Sequence, residues 1–149
     1  MSTLTKTNQF MNIQMGSTVG TATIVNFATA TIKFKLLTSA VAPVATWTTR
    51  ADDTGTEVTG TNYTAGGATL TGQTLTQSGG ITTFTANNIT WAQSASGFNN
   101  ARYGYLYVST GTAANDTIIG FYDFLTNQSN QTVPFNAIFD PTYGIIQWA

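Results

Sequence analysis

Apolar and polar positions alternate with a period of two along most of this chain, and no apolar stripe with a 3.6-residue period reaches helical length. Residues 30–38 set the pattern. Ile32, Phe34 and Leu36 fall on one face of an extended segment and Lys33 and Lys35 on the other, as a half-buried strand requires. Both lysines are expected to face solvent or a partner, where charge protects an exposed sheet from unwanted pairing. Residues 101–109 also alternate, but neither face is polar: Tyr103, Tyr105 and Tyr107 occupy one, Gly104, Leu106 and Val108 the other. Such a strand is covered on both sides. Its tyrosine row is either a second layer of the chain's own core or an interface in which each ring packs and each hydroxyl finds a polar partner. Residues 117–125, 133–139 and 144–149 predict further strands; Pro134 suggests an edge, and Trp148 implies that the C-terminal segment is tied down. Asp123 lies among aromatic residues and must be hydrogen-bonded or at an edge, because an isolated buried carboxylate is expensive.

Thr and Gly dominate residues 41–80, with Asp52-Asp53-Thr54-Gly55 as a turn signal and Trp47, Val58, Tyr63, Leu70 and Leu75 as apolar anchors. Short strands separated by turns fit this stretch better than one long loop. Residues 81–91 resume the strand pattern, with Ile89 and Trp91 in alternate positions. Residues 1–20 are polar apart from Phe10, Met11, Ile13 and Met15, and read either as a frayed terminus or as an extended arm laid on a neighbouring subunit. The expected fold is therefore all-β: an antiparallel β-sandwich, jelly-roll-like, of about eight to ten short strands. It forms a single domain over residues 21–149 behind an N-terminal arm over residues 1–20.

Composition narrows the chemistry. Only 7% of the 149 residues are charged, against about 25% in ordinary domains, so solubility comes from Thr, Asn, Ser and Gly. A surface of hydroxyls and amides suits permanent contact with other copies or subunits. There is no His and no Cys, which removes disulfides, thiolate nucleophiles and the usual zinc ligands. The remaining candidates for acid–base chemistry are Asp52, Asp53, Glu57, Asp116, Asp123 and Asp140, and their spacing singles out no pair for glycoside hydrolysis. Asp52-Asp53-x-x-x-Glu57 could cup a hard cation, but it lacks a calcium-loop pattern and is expected to be a solvated turn. Gly66-Gly67 and Gly79-Gly80 are not followed by Lys and a helix start, so no phosphate loop is expected. No catalytic residue, metal or cofactor is predicted. Lys6, Lys33, Lys35, Arg50 and Arg102 are scattered, which argues against a nucleic-acid partner. The absence of a signal peptide and of an apolar run of about 18 residues predicts a soluble chain with no membrane partner.

The run Glu57-Val58-Thr59-Gly60-Thr61-Asn62-Tyr63-Thr64-Ala65-Gly66-Gly67-Ala68-Thr69-Leu70 resembles an E-V-x-G-x-x-Y-x-x-G-G-x-x-L motif of small tailed-bacteriophage virion proteins. Phe84 to Trp91 is similar to that family's F-x-x-x-x-(I/V)-x-W strand, Ala101 to Tyr107 to its A-R-x-(A/G)-x-(I/L)-Y strand, and Ile119 to Phe124 to its D-F strand. The resemblance spans about residue 31 to the C-terminus and implies a virion component made in the host cytoplasm. The expected role is a capsid decoration or cement protein on the outer capsid surface, a homo-oligomer with a trimer as the expected state. Its partner would be the major capsid protein, through interfaces of about 800 Å² or more per partner. The candidate interface residues are Phe10, Met11, Ile13 and Met15 of the arm, with Trp47, Tyr103, Tyr105 and Tyr107. The alternative is a tail-fibre or receptor-binding adhesion module whose exposed aromatics, Trp47 and the tyrosine row, stack on host surface glycans.

Overall fold

A computed structural model of the chain describes residues 4–6 and 26–148, with residues 5 and 6 described by backbone alone. Phe10, Met11, Ile13 and Met15 lie outside the described residues. The strands are β1 (Thr5–Lys6), β2 (Ile32–Leu37), β3 (Ala68–Thr69), β4 (Thr74–Ser78), β5 (Ile81–Thr85), β6 (Ile89–Trp91), β7 (Ala101–Val108), β8 (Ile118–Gln128), β9 (Phe135–Ala137) and β10 (Ile146–Trp148). The only helical turns among the described residues are two 3-10 turns, at Arg50–Asp52 and Ala113–Asn115. The fold is all-β, and every strand pair is antiparallel.

The strands form a five-stranded sheet in the order β1-β8-β7-β2-β3, a three-stranded sheet β10-β5-β4 and a two-stranded ladder β6-β9. In the large sheet Phe34 opposes Leu106, and Leu36 opposes Gly104, which in turn opposes Tyr122. Alternation therefore gathers Ile32, Phe34, Leu36, Leu106 and Tyr122 on one face. That face packs against Phe84 of β5, Ile89 and Trp91 of β6, Ala137 of β9 and Ile146 of β10, forming the main core. Phe27 joins from the chain before β2, in ring contact with Phe84 and with Trp148 near the C-terminal end.

The opposite face of the large sheet has a smaller core of its own, made of Leu37, Trp47, Tyr105, Tyr107 and Ile118 with Tyr103 and Phe121 packed against it. Its cover is the stretch between β2 and β3. Sequence alone predicts short strands there, but residues 38–67 carry no strand. They cross the sheet face as an irregular cover, held by single bridges between Leu37 and Glu57 and between Thr49 and Thr117. The Thr-rich segment satisfies its backbone with local turns and side-chain bonds instead of a ladder. Asp52 shows how: its carboxylate accepts from the N–H groups of Thr48 and Thr49 at 2.9 and 2.8 Å and closes the 3-10 turn.

Candidate functional site

The cover and the tyrosine row enclose a polar cluster in the second core. Lys35 sits opposite Tyr105 in the β2-β7 ladder and is 8% exposed, so it does not face solvent as the alternation of β2 predicts. Its Nζ meets Asp53 Oδ2 at 2.8 Å and Glu57 Oε2 at 3.3 Å. The Tyr105 hydroxyl donates to the same Asp53 oxygen at 2.7 Å, and the Gly55 N–H donates to Asp53 Oδ1 at 2.8 Å. Burial, followed by the Asp53 carboxylate, pushes the Tyr105 phenol far above its ordinary value, so Tyr105 remains a donor.

Glu57 is held with equal care. Its Oε1 accepts from the Tyr63 hydroxyl at 2.8 Å and the Gly66 N–H at 2.6 Å. Tyr63 in turn accepts from the Leu36 N–H at 3.1 Å, and the Tyr107 hydroxyl donates to the Gly66 carbonyl at 2.8 Å. The motif from Glu57 to Gly67 is thus a structural knot that fixes the cover to β2 and β7. Beside it, Arg50 Nε meets the fully buried Asp116 at 2.7 Å, with its guanidinium 5.5 Å from the centre of the Tyr107 ring.

This geometry corrects two expectations. Asp53 is not in a solvated turn, since its side chain is 2% exposed. The cation it holds is the Lys35 ammonium, and among the described residues no group of three or more His, Cys, Asp or Glu is placed to hold a metal ion. Trp47, Tyr105 and Tyr107 are 7%, 0% and 2% exposed, so these candidate interface residues are interior to the chain. They cannot stack on a sugar or a neighbouring subunit while the cover is in place. Tyr103 is half-buried, with the Arg102 guanidinium 5.5 Å from its ring centre. Sequence reasoning missed the Lys35–Asp53–Glu57 cluster, although one signal could have found it. If the tyrosine face of β7 is covered, the face of its neighbour β2 that carries Lys35 must be covered too, and a buried lysine requires carboxylates.

The other notable feature is on the surface. Asp123 of β8 opposes Tyr103 and Gln128 opposes Ala101, so four residues of β8 stand against one of β7. This large bulge presents Leu125, 74% exposed and at φ +65°. Its N–H donates to Asp123 Oδ1 at 2.7 Å, and the same oxygen accepts from Arg102 Nε at 2.6 Å. Between the bulge and β9 lies an open cleft of about 330 Å³, with Phe34, Tyr122, Phe124 and Phe135 among its walls and Leu125 and Ile138 at its margin. Searches of protein-family models, curated proteins and solved structures find no match to this chain.

Proposed function

We propose that this chain is a structural component of a bacteriophage virion, a decoration or cement protein that binds the outer capsid surface and ties neighbouring capsomers together. The observation that carries this reading is where the polar and apolar groups stand. All six carboxylates accept hydrogen bonds from groups within the chain: Asp52, Asp53, Glu57, Asp116, Asp123 and Asp140. Of the six, Asp123 alone is among the residues lining the described open cleft, whereas paired-carboxylate hydrolysis would need two. The large apolar side chains Leu125 and Ile138 instead stand exposed beside a concavity whose one charged lining residue, Asp123, is paired to Arg102, and exposed apolar patches mark binding surfaces for other macromolecules. With 7% charged residues, such a surface associates by burial and hydroxyl or amide hydrogen bonds rather than by ion pairing. The partner in this reading is the major capsid protein, and a trimer places three copies of the patch around a junction.

The adhesion alternative loses its aromatic platform, because Tyr105 and Tyr107 lie beneath the cover and Trp47, part of the cover, is buried in the same core. The test is to strip the protein from purified particles and add it back. Stripped shells should fail at lower temperature or osmotic stress, and re-addition should restore them with a copy number matching the shell. Stripped shells as resistant as complete ones, or a copy number of a few at the tail, would overturn the reading.

A further inference from the structure

We propose that Lys35 and Asp53 condense into an internal amide that links β2 covalently to its cover, with Glu57 as the proton carrier. The inference stands on the buried cluster alone and does not depend on where the protein acts. Three features of an amide-forming site coincide. The nucleophile and electrophile are already in contact, with Lys35 Nζ 2.8 Å from Asp53 Oδ2, and groups held this way reach effective concentrations of about 10⁵–10⁸ M. A second carboxylate touches the same nitrogen, Glu57 Oε2 at 3.3 Å. Water is largely excluded, because the Lys35 and Asp53 side chains are 11% and 2% exposed, which protects the product from hydrolysis.

The electrophile is also polarised. The Gly55 N–H donates to Asp53 Oδ1 at 2.8 Å and is placed to hold the negative charge that develops there when the carbon becomes tetrahedral. The Tyr105 hydroxyl donates to Oδ2 at 2.7 Å, beside the oxygen that must leave. In the step, Nζ passes a proton to Glu57 and attacks Asp53 Cγ as a free amine. The nitrogen lone pair forms the C–N bond, and the C–Oδ2 bond breaks with its electrons going to oxygen. Two of the three ammonium protons end on Oδ2, one of them relayed by Glu57, and the oxygen departs as water. The third proton stays on the amide nitrogen, and Glu57 returns to a carboxylate. One positive and one negative charge disappear together, and no oxidant, reductant or cofactor is needed.

The test is the mass of the full chain, purified and then denatured. The expected mass is lighter than the sequence mass by one water molecule. Trypsin should then leave Lys35 uncut and release a branched peptide joining residues 34–50 to residues 51–102. Lys35→Arg keeps the charge but cannot form the bond, and should show the full sequence mass. Glu57→Gln keeps an acceptor oxygen for Tyr63 and Gly66 and should fold, yet remain unlinked. Full sequence mass in the unaltered chain overturns the proposal, as does a water loss that persists in Lys35→Arg. A linked Glu57→Gln chain overturns the assignment of Glu57 as the proton carrier. The readout needs neither particles nor a binding partner, so failure here and failure of the cement reading are separately visible.

Discussion

A methyl group on Gly67 would meet the backbone carbonyl of Phe34 at less than any permitted contact distance, and the residue sits at φ +84°. Only glycine serves there, because the turn after Tyr63 brings backbone against β2 just before β3 pairs with it. Gly67→Ala should destabilise the fold by more than about 2 kcal/mol, the left-handed conformation contributing about 1–2 of this and displacement of β2 the rest. A lowered urea midpoint with an unchanged circular-dichroism spectrum of the surviving folded fraction would check it. Leu125 is the opposite case, a left-handed backbone occupied by a residue that disfavours it and that is 74% exposed. Strain kept at an exposed position points to use of the side chain. Leu125→Asn should therefore leave stability unchanged or raise it by about 0.5–1 kcal/mol and, under the proposed decoration role, weaken attachment to particles. Lower stability in thermal melts, or undiminished attachment, would show that Leu125 is there for the fold alone.

The element that shapes this molecule most is the strandless cover from Thr38 to Gly67, and Trp47 is its main apolar anchor in the second core. Trp47→Ala should cost about 3–5 kcal/mol, as for other buried large-to-small changes. It should also open the tyrosine row to solvent, read as increased reactivity of Tyr105 and Tyr107 toward a phenol-modifying reagent. Much of the fold was legible because alternation fixes the faces: β2, β7 and β8 fall where Ile32–Leu36, Tyr103–Val108 and the run from Ile118 place them. Asp123 was constrained just as directly, and it is paired to Arg102 at 2.6 Å. The cover was not legible, since its contacts are between side chains distant in sequence and leave no periodic trace. Lys35 and Asp53 are 18 positions apart, and Arg50 and Asp116 are 66 apart. For the same reason the alternation that put Lys35 opposite the apolar row could not show whether that face was wet. The tyrosine row left two readings open, and the cover closes one of them by burying Tyr105 and Tyr107 inside the chain.

Across the whole molecule, charge is so sparse that the pH dependence of stability reduces to a few named groups. With no His, no side chain has an ordinary pKa between about 5 and 8. On the acid side, Asp52 is lowered chiefly by the Thr49 and Thr48 N–H groups and the Thr48 hydroxyl. At Asp116 burial works to raise the value, but the Thr110 N–H, the Arg50 guanidinium and the Thr110 hydroxyl together outweigh it and the net shift is downward. Asp123 is lowered first by Arg102. A carboxylate held below its unfolded value stabilises the fold fully above about pH 4 and loses that contribution as pH falls through its folded value. On the alkaline side, Tyr63, Tyr105 and Tyr122 are raised, each first by burial. Their contribution is complete below about pH 10, the unfolded value, and is lost as pH climbs past it, because the unfolded chain then releases protons that the folded chain retains. The melting temperature should therefore be flat from about pH 5 to about pH 9 and fall on both sides. Since the acid limb comes from lost internal hydrogen bonds rather than from repulsion among many charges, added salt should restore little of it. A slope within the plateau, or an acid limb abolished by salt, would mean that net charge and not these hydrogen-bonded carboxylates governs the stability of the fold.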